Sequence, residues 1–352
     1  MNLSVTHLVS SLNFGGAERF VIDLSQQQKD DGINANIISF GTDTDPLLEQ
    51  CKKNQLEVLT INAIKLVAHY RFYIAVKDAD VVHIHSPHVL KFLVPILPLL
   101  ISKKIIYTRH GAHPFNQRLW LIVHRFCQKY IDHITFVSEE GKQIFTDNHG
   151  WHSKNKSVID NAVRLPRIIK RQQNNKQISL GSVGRMVDLK NQICLLEALT
   201  KLSMEELQHI NLHFFGDGPC MGKLKTYQQQ HLADCSIYFH GSVADRQKIY
   251  SSFDVLVVTS ETEGLSLVII EAMASECCVI ATNVGGNPLL VSDNETGWLF
   301  EYNDSTRLAN LIKRCLEDNN DVKAFAQKSK QKISEQFSLS KCAQAYQNIY
   351  VD

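Results

Sequence analysis

The amino-acid sequence predicts an α/β protein made of two Rossmann-like domains facing each other across a cleft, and three observations carry that prediction. The chain has 352 residues, room for two domains of roughly 150 each. Short apolar runs rich in β-branched residues alternate with amphipathic stretches along its length, as in buried parallel strands joined by helices. The alternation breaks off in the polar, basic run at 164–177 (RLPRIIKRQQNNKQ) and then starts again.

In the first half, strands are expected over 4–9, 34–39, 57–61, 81–85, 105–108, 133–137 and 156–159. Helical patterns lie between them at 17–28, with Phe20, Ile22 and Leu24 apolar, and at 116–129. In the second half strands are expected over 178–183, 212–215, 237–240, 255–259, 279–281 and 297–300. Its helices fall near 192–201, 246–251, 266–273 and 306–318. The domains are therefore 1–163 and 178–337 with a linker at 164–177, and a last helical stretch at 338–352 is expected to pack back on the first domain.

Composition excludes several classes. Apolar residues are 44% and charged residues 21%, ordinary globular usage. The longest apolar run, residues 92–101, is ten long with Pro95 and Pro98 inside it, too short for the roughly 20 residues of a spanning helix. The N-terminus has no basic stretch before an apolar core, so no secretory signal is read. Nine cysteines without a C-x-x-C pair suggest free thiols in a reducing cytoplasm. Net charge is +1, from +3 over 1–165 and −2 over 166–352, with eleven of fifteen histidines in the first part. Neither half has the basic excess of a nucleic-acid binder.

Chemistry is expected where strands end and helices begin. Gly15-Gly16-Ala17-Glu18 opens the first helix, where backbone N–H groups can approach an anion or the glycines can simply make a tight turn. Gly184-Arg185 with Lys190 follows the first strand of the second half, and an arginine and a lysine beside a helix start suit a diphosphate. Glu263-Gly264-Leu265-Ser266 leads into an apolar helix containing Glu271. A carboxylate inside such a helix requires either a structural donor or ligand hydroxyls. His110 sits before Gly111 at a strand's carboxyl end. His83, His85 and His88 suggest a metal site by spacing, but no nearby Asp, Glu or Cys completes a ligand set, so no metal is expected. Gly216-Asp217-Gly218-Pro219 imitates a dinucleotide fingerprint, with its third glycine one residue late.

These motifs, in this order, resemble the retaining glycosyltransferases of family 4 (group 1), which have the GT-B fold. The resemblance spans nearly the whole chain, through Gly15-Gly16-Ala17-Glu18, Gly184-Arg185 with Lys190, Gly216-Asp217-Gly218-Pro219, His240-Gly241 and Glu263 to Glu271. It implies a nucleotide-sugar co-substrate, UDP- or GDP-linked, and no cofactor or essential metal. It also implies that Arg185 and Lys190 hold the diphosphate, Glu271 the ribose hydroxyls and Glu263 the transferred sugar. The amides of Gly264, Leu265 and Ser266 lie near sugar and phosphates, and His240, Gly241, Ser242 and Val243 hold the base. Gly15 and Gly16 close over the diphosphate, while His110 meets the donor sugar. The catalytic set is then His110, Arg185, Lys190 and Glu263, with Glu261 as an alternative to Glu263. The first half selects a glycan or lipid-linked acceptor, with His85, Ser86 and His113 as its candidate contacts.

The expected role is sugar transfer in surface polysaccharide or lipopolysaccharide synthesis, in the cytoplasm or at the inner face of the membrane. The lysine-flanked stretch 91–104 reads either as a buried crossover or as an apolar face dipping into a bilayer. A nucleotide-sugar epimerase and a non-catalytic sugar-nucleotide binder are the competing readings.

Overall fold

A computed structural model describes residues 3–62, 64–111, 117–149, 151, 155–164 and 177–352. Chain contacts divide the protein into two units, Met1–Ala162 with Leu339–Asp352, and Val163–Ser338. Most of the expected linker, the expected helix start at 116 and His113 lie outside the described residues.

The first unit is a seven-stranded sheet of β1 (Ser4–Val9), β2 (Asn34–Ser39), β3 (Glu57–Thr60), β4 (Val81–Ile84), β5 (Lys104–Arg109), β6 (His133–Phe136) and β7 (Asn155–Val158). Every pairing is parallel, in the order β3-β2-β1-β4-β5-β6-β7. Val5 pairs with Ala35 on one side and Val81 on the other, so the order reverses beside β1. Helix-covered parallel strands are buried on both faces, which is why β4 reads as a continuous apolar run interrupted only by His83.

The second unit repeats the scheme with β8 (Ile178–Val183), β9 (Ile210–Phe215), β10 (Ser236–Phe239), β11 (Val255–Val258), β12 (Cys278–Thr282) and β13 (Trp298–Phe300). Its strands are parallel in the order β10-β9-β8-β11-β12-β13, reversing between β8 and β11. The helix Leu267–Ala274, apolar nearly all round, buries every residue but Val268. The helix Asn319–Gln336 escapes a reading from periodicity because only Val322, Phe325, Ala326 and Ile333 mark its inner face in an otherwise polar stretch.

The final helix, Leu339–Val351, belongs to the first unit. It buries Leu339, Cys342, Ala343, Tyr346, Ile349 and Tyr350, a stripe at helical spacing, against the helix Gly16–Asp30 and the sheet. In the stretch 91–104, Leu93, Ile96, Leu97 and Leu100 are buried along the helix Pro87–Leu93 and the turn Leu97–Leu100, while Leu99 and Ile101 are exposed. All nine cysteines are unpaired thiols. No helix among the described residues is long and apolar enough to cross a membrane.

Tyr346 is fully buried, with its ring near Phe20 and its hydroxyl 3.4 Å from Thr108 Oγ1. Tyr346→Ala is expected to cost about 3–5 kcal/mol by leaving an aromatic-sized void, read as a lower urea midpoint for the first unit. An unchanged midpoint would show that the last helix is dispensable to that unit.

Candidate functional site

In the second unit the carboxyl ends of five neighbouring strands are tied together through backbone. Gly184 N donates to Phe215 O, Met186 N to Asp217 O and Gly216 N to Gly241 O, linking the loops after β8, β9 and β10. Glu261 N donates to Leu189 O, Thr259 Oγ1 to Lys190 O at 2.8 Å, and Thr282 Oγ1 to Ser260 O at 2.8 Å, bringing in the ends of β11 and β12. The approach is close: a Cβ on Gly216 (φ +133°) would meet Gly184 O at 1.9 Å, and one on Gly285 (φ +50°) would meet Glu263 O at 1.9 Å. The dinucleotide-like run at 216–219 is thus a packing seam.

At the reversal between β8 and β11, where an open α/β sheet leaves a crevice, Lys190 Nζ lies 2.5 Å from Glu263 Oε1. Ser260 Oγ donates to the same oxygen at 2.7 Å. Both side chains of the pair are largely shielded, 24% and 11% exposed, and with Ser182, Gln192, Thr259 and Ser266 they line one cavity. Glu261 is exposed and spends its backbone on Leu189, so Glu263 is the partner of Lys190. Arg185 is exposed, and its carbonyl accepts from Gln192 Nε2 at 3.0 Å. Gly264 is half-buried, Leu265 is buried, and Ser266 precedes the helix Leu267–Ala274 in extended conformation.

Glu271 has protein partners on both oxygens. Tyr250 OH donates to Oε2 at 2.5 Å, and Arg246 Nε lies 2.8 Å from Oε1, all largely buried. Structural donors thus satisfy this buried carboxylate within the protein. A carboxylate oxygen keeps further lone pairs for a ligand. His240 is exposed, stacks on Phe215 with centroids 4.4 Å apart, and lies 3.0 Å from His213. Gly241 (φ +66°) lends its carbonyl to Gly216, Ser242 is exposed and Val243 half-buried.

The first unit brings a second set together. Gly15, in extended conformation, caps the helix Gly16–Asp30 without a side chain, and neither glycine has positive φ. His110 Nε2 is 3.0 Å from His85 Nδ1, and His85 Nε2 is 2.9 Å from His7 Nδ1. His85 is buried with both ring nitrogens engaged, and Ser86 Oγ accepts from His88 N at 3.2 Å as a helix cap. Both residues are buried and spend these atoms on partners within the protein.

His7, His83 and His85 gather ring nitrogens within 4.8 Å of one another. The third histidine comes from the neighbouring β1, which spacing within 83–88 could not reveal. Every ring nitrogen of the three is already hydrogen-bonded within the protein, to Gln28, Tyr350, Thr108 or another histidine. The trio therefore fits a hydrogen-bond network better than a metal centre. Burial drives the rings toward neutrality: His7 and His110 fall to about 4, and His83 and His85 well below the usual 6.5.

Arg246 and Tyr250 beneath Glu271, and His7, Gln28 and Tyr350 beneath His110, were not singled out in the sequence. The only local signal was a polar pair, Thr6-His7, inside an apolar strand.

Residues 14–167 match the family Glycosyltransferase Family 4 and residues 166–332 match Glycosyl transferases group 1. A poly(ribitol-phosphate) alpha-N-acetylglucosaminyltransferase of Staphylococcus aureus is 28% identical over 55% of this chain, which spans 39% of that relative. A Campylobacter jejuni GalNAc-alpha-(1->4)-GalNAc-alpha-(1->3)-diNAcBac-PP-undecaprenol alpha-1,4-N-acetyl-D-galactosaminyltransferase is 22% identical over 96% of this chain and 95% of its own. The crystal structure of Anabaena HepE in complex with UDP and glucose superposes with a TM-score of 0.87, at 19% identity, over 99% of this chain and all of that one.

Glu271→Ala removes the carboxylate partner of the shielded Arg246 guanidinium and is expected to cost about 3 kcal/mol, measured by denaturation without ligand. Acid should weaken the first unit. An unfolded histidine takes a proton near 6.5 whereas folded His7 resists until about 4, so the unfolded chain binds more protons in between. Unfolding free energy should fall as pH drops from 6.5 toward 4 and be indifferent to these groups at higher pH. A flat profile through that window would contradict the buried neutral rings.

Proposed function

This chain belongs to the GT-B glycosyltransferases of family 4 and group 1, and on that premise we propose that it is a retaining enzyme moving a hexose-type sugar from a UDP- or GDP-sugar to a glycan or lipid-linked acceptor of a surface polysaccharide or lipopolysaccharide. The observation that carries the reading is the Lys190–Glu263 pair at the reversal of the β8–β11 sheet. It puts a cation and a carboxylate together in a cavity at the crevice where the strand order reverses. The UDP and glucose named for HepE and the undecaprenol-linked acceptor named for the Campylobacter relative support the substrate classes.

In this reading Arg185 and Lys190 hold the diphosphate, Glu263 and the amides of Gly264, Leu265 and Ser266 meet the sugar, and Glu271 adds a ribose contact to its structural one. His240, Gly241, Ser242 and Val243 hold the base, Gly15 and Gly16 cover the diphosphate, and His110 meets the donor sugar. The sugar C1–oxygen bond to phosphate breaks while the acceptor oxygen bonds C1 from the same face. The departing phosphate oxygen takes the acceptor proton. Charge is the main obstacle, since the sugar becomes oxocarbenium-like as the diphosphate gains negative charge, and Lys190 with Arg185 offsets the latter without a metal. The Glu263 contact holds the lysine in place before the donor arrives.

An anionic membrane at the cytoplasmic face is the proposed location. The helix Lys65–Ala75 buries Ala68 and Phe72 but exposes Leu66 (82%), Val67, Tyr70, Tyr73 and Ile74. Leu99 is exposed and lines one groove with Leu66, Val67, Tyr70 and Tyr73, and Lys103 reaches the Lys77 carbonyl at the helix end. Exposed apolar side chains with Arg71 on the same helix, and Lys77 and Lys103 at its end, match an anionic lipid surface.

A panel of UDP-, GDP- and ADP-sugars read for binding, slow hydrolysis and isomerisation should show donor hydrolysis, undiminished by EDTA. Isomerisation alone would favour an epimerase, and binding without turnover a sensor. Lys190→Ala is expected to lower turnover about 10²-fold or more, the scale of losing one preorganised charge, and full activity would refute the phosphate assignment. Leu66→Glu with Tyr70→Glu should abolish sedimentation with phosphatidylglycerol vesicles. Failure of the unaltered protein to sediment with them would remove the membrane proposal.

A further inference from the structure

The histidine chain of the first unit continues past the three buried rings at both ends. His7 Nε2 lies 2.7 Å from Gln28 Oε1, and Gln28 Nε2 donates to Tyr350 OH at 3.2 Å. Tyr350 OH lies 2.7 Å from His83 Nδ1, and His83 Nε2 lies 2.6 Å from Thr108 Oγ1. At the other end His110 Nδ1 is buried, with no hydrogen-bond partner among the described residues.

A neutral imidazole has one N–H and one lone pair, so each ring in a ring-to-ring chain passes a single polarity to the next. The direction is set at Gln28, whose amide oxygen faces His7 and whose nitrogen faces Tyr350. His7 must then donate from Nε2 and accept at Nδ1. His85 accordingly donates from Nε2 to His7 and accepts at Nδ1, so His110 donates from Nε2. The same direction runs through Tyr350, which accepts from Gln28 and donates to His83, leaving His83 Nε2–H for Thr108. What remains on His110 is an Nδ1 lone pair shielded from water. Turning the Gln28 amide over would reverse every link and make that atom a donor.

Resting on the reading in which His110 meets the donor sugar, we propose that Gln28, acting through His7 and His85, holds His110 in its Nε2–H tautomer so that Nδ1 accepts a hydrogen bond from one hydroxyl of that sugar. Gln28, His7 and His85 are positioning residues. The consequence is selectivity: a sugar hydroxyl donates to this atom, whereas fluorine or hydrogen at the same carbon cannot, and leaves a buried acceptor unmatched.

The test is 15N NMR of the full chain labelled at histidine, with affinities for UDP-glucose, UDP-N-acetylglucosamine and UDP alone. His110 Nδ1 should be unprotonated in the unaltered protein. Gln28→Met, close in shape, and His7→Phe, which breaks the next link, should each give a mixture of His110 tautomers. Both should weaken UDP-sugar binding about tenfold while sparing UDP, the scale of one hydrogen bond. A proton on His110 Nδ1 in the unaltered protein overturns the proposal, as does an equal loss for UDP and UDP-sugar in the variants. If no nucleotide sugar binds the unaltered protein, the functional reading fails and the ligand part of this proposal with it, while the NMR still decides the tautomer.

Discussion

Lys190 and Glu263 are 73 positions apart in the chain, and they meet because β8 and β11 lie side by side where the strand order turns back. A parallel sheet aims every strand's carboxyl end the same way, so all its loops collect on one edge. The reversal then sends the helices after β8 and β11 to opposite faces and leaves the loops between them apart enough to admit a ligand. The cavity, the ion pair and the close backbone seams at Gly216 and Gly285 all follow from that topology. The cation and the carboxylate are partly shielded from water, where each needs the other, so the pair also holds the loop after β11 to the end of β8.

Buried polarity in the two units is handled differently. In the second, an acid inside an apolar helix is matched by a guanidinium and a phenol, charge against charge. In the first, four imidazoles, an amide and a phenol are matched without formal charge, because burial keeps the rings neutral. A neutral network can hold a direction that a charged one cannot, since an imidazolium donates from both nitrogens. The last helix contributes to this directly: Tyr350, at the far end of the chain, completes a network begun at His7.

Much of the architecture was legible in advance. Strands at 4–9, 34–39 and 178–183 coincide with β1, β2 and β8, because buried parallel strands are short apolar runs with clear ends. The helix at 266–273 was readable for a similar reason, having scarcely a polar side chain apart from Glu271. The helix Asn319–Gln336 was not, its inner face being marked by four residues in eighteen. The stretch 91–104 allowed two readings because apolar content does not say which residues face inward. The structure buries Leu93, Ile96, Leu97 and Leu100, leaves Leu99 and Ile101 exposed, and also exposes the apolar flank of Lys65–Ala75.

The sequence by itself determined the element types, the two-domain plan and the loops on which chemistry would fall, since periodicity, glycine placement and strand ends are local properties of a chain. Only the tertiary structure decided the pairings: Glu263 with Lys190, Glu271 with Arg246 and Tyr250, His110 with His85, His7 and Gln28. Such partners are set by strand order and by helices packing across the sheet, and distance along the chain carries no record of either.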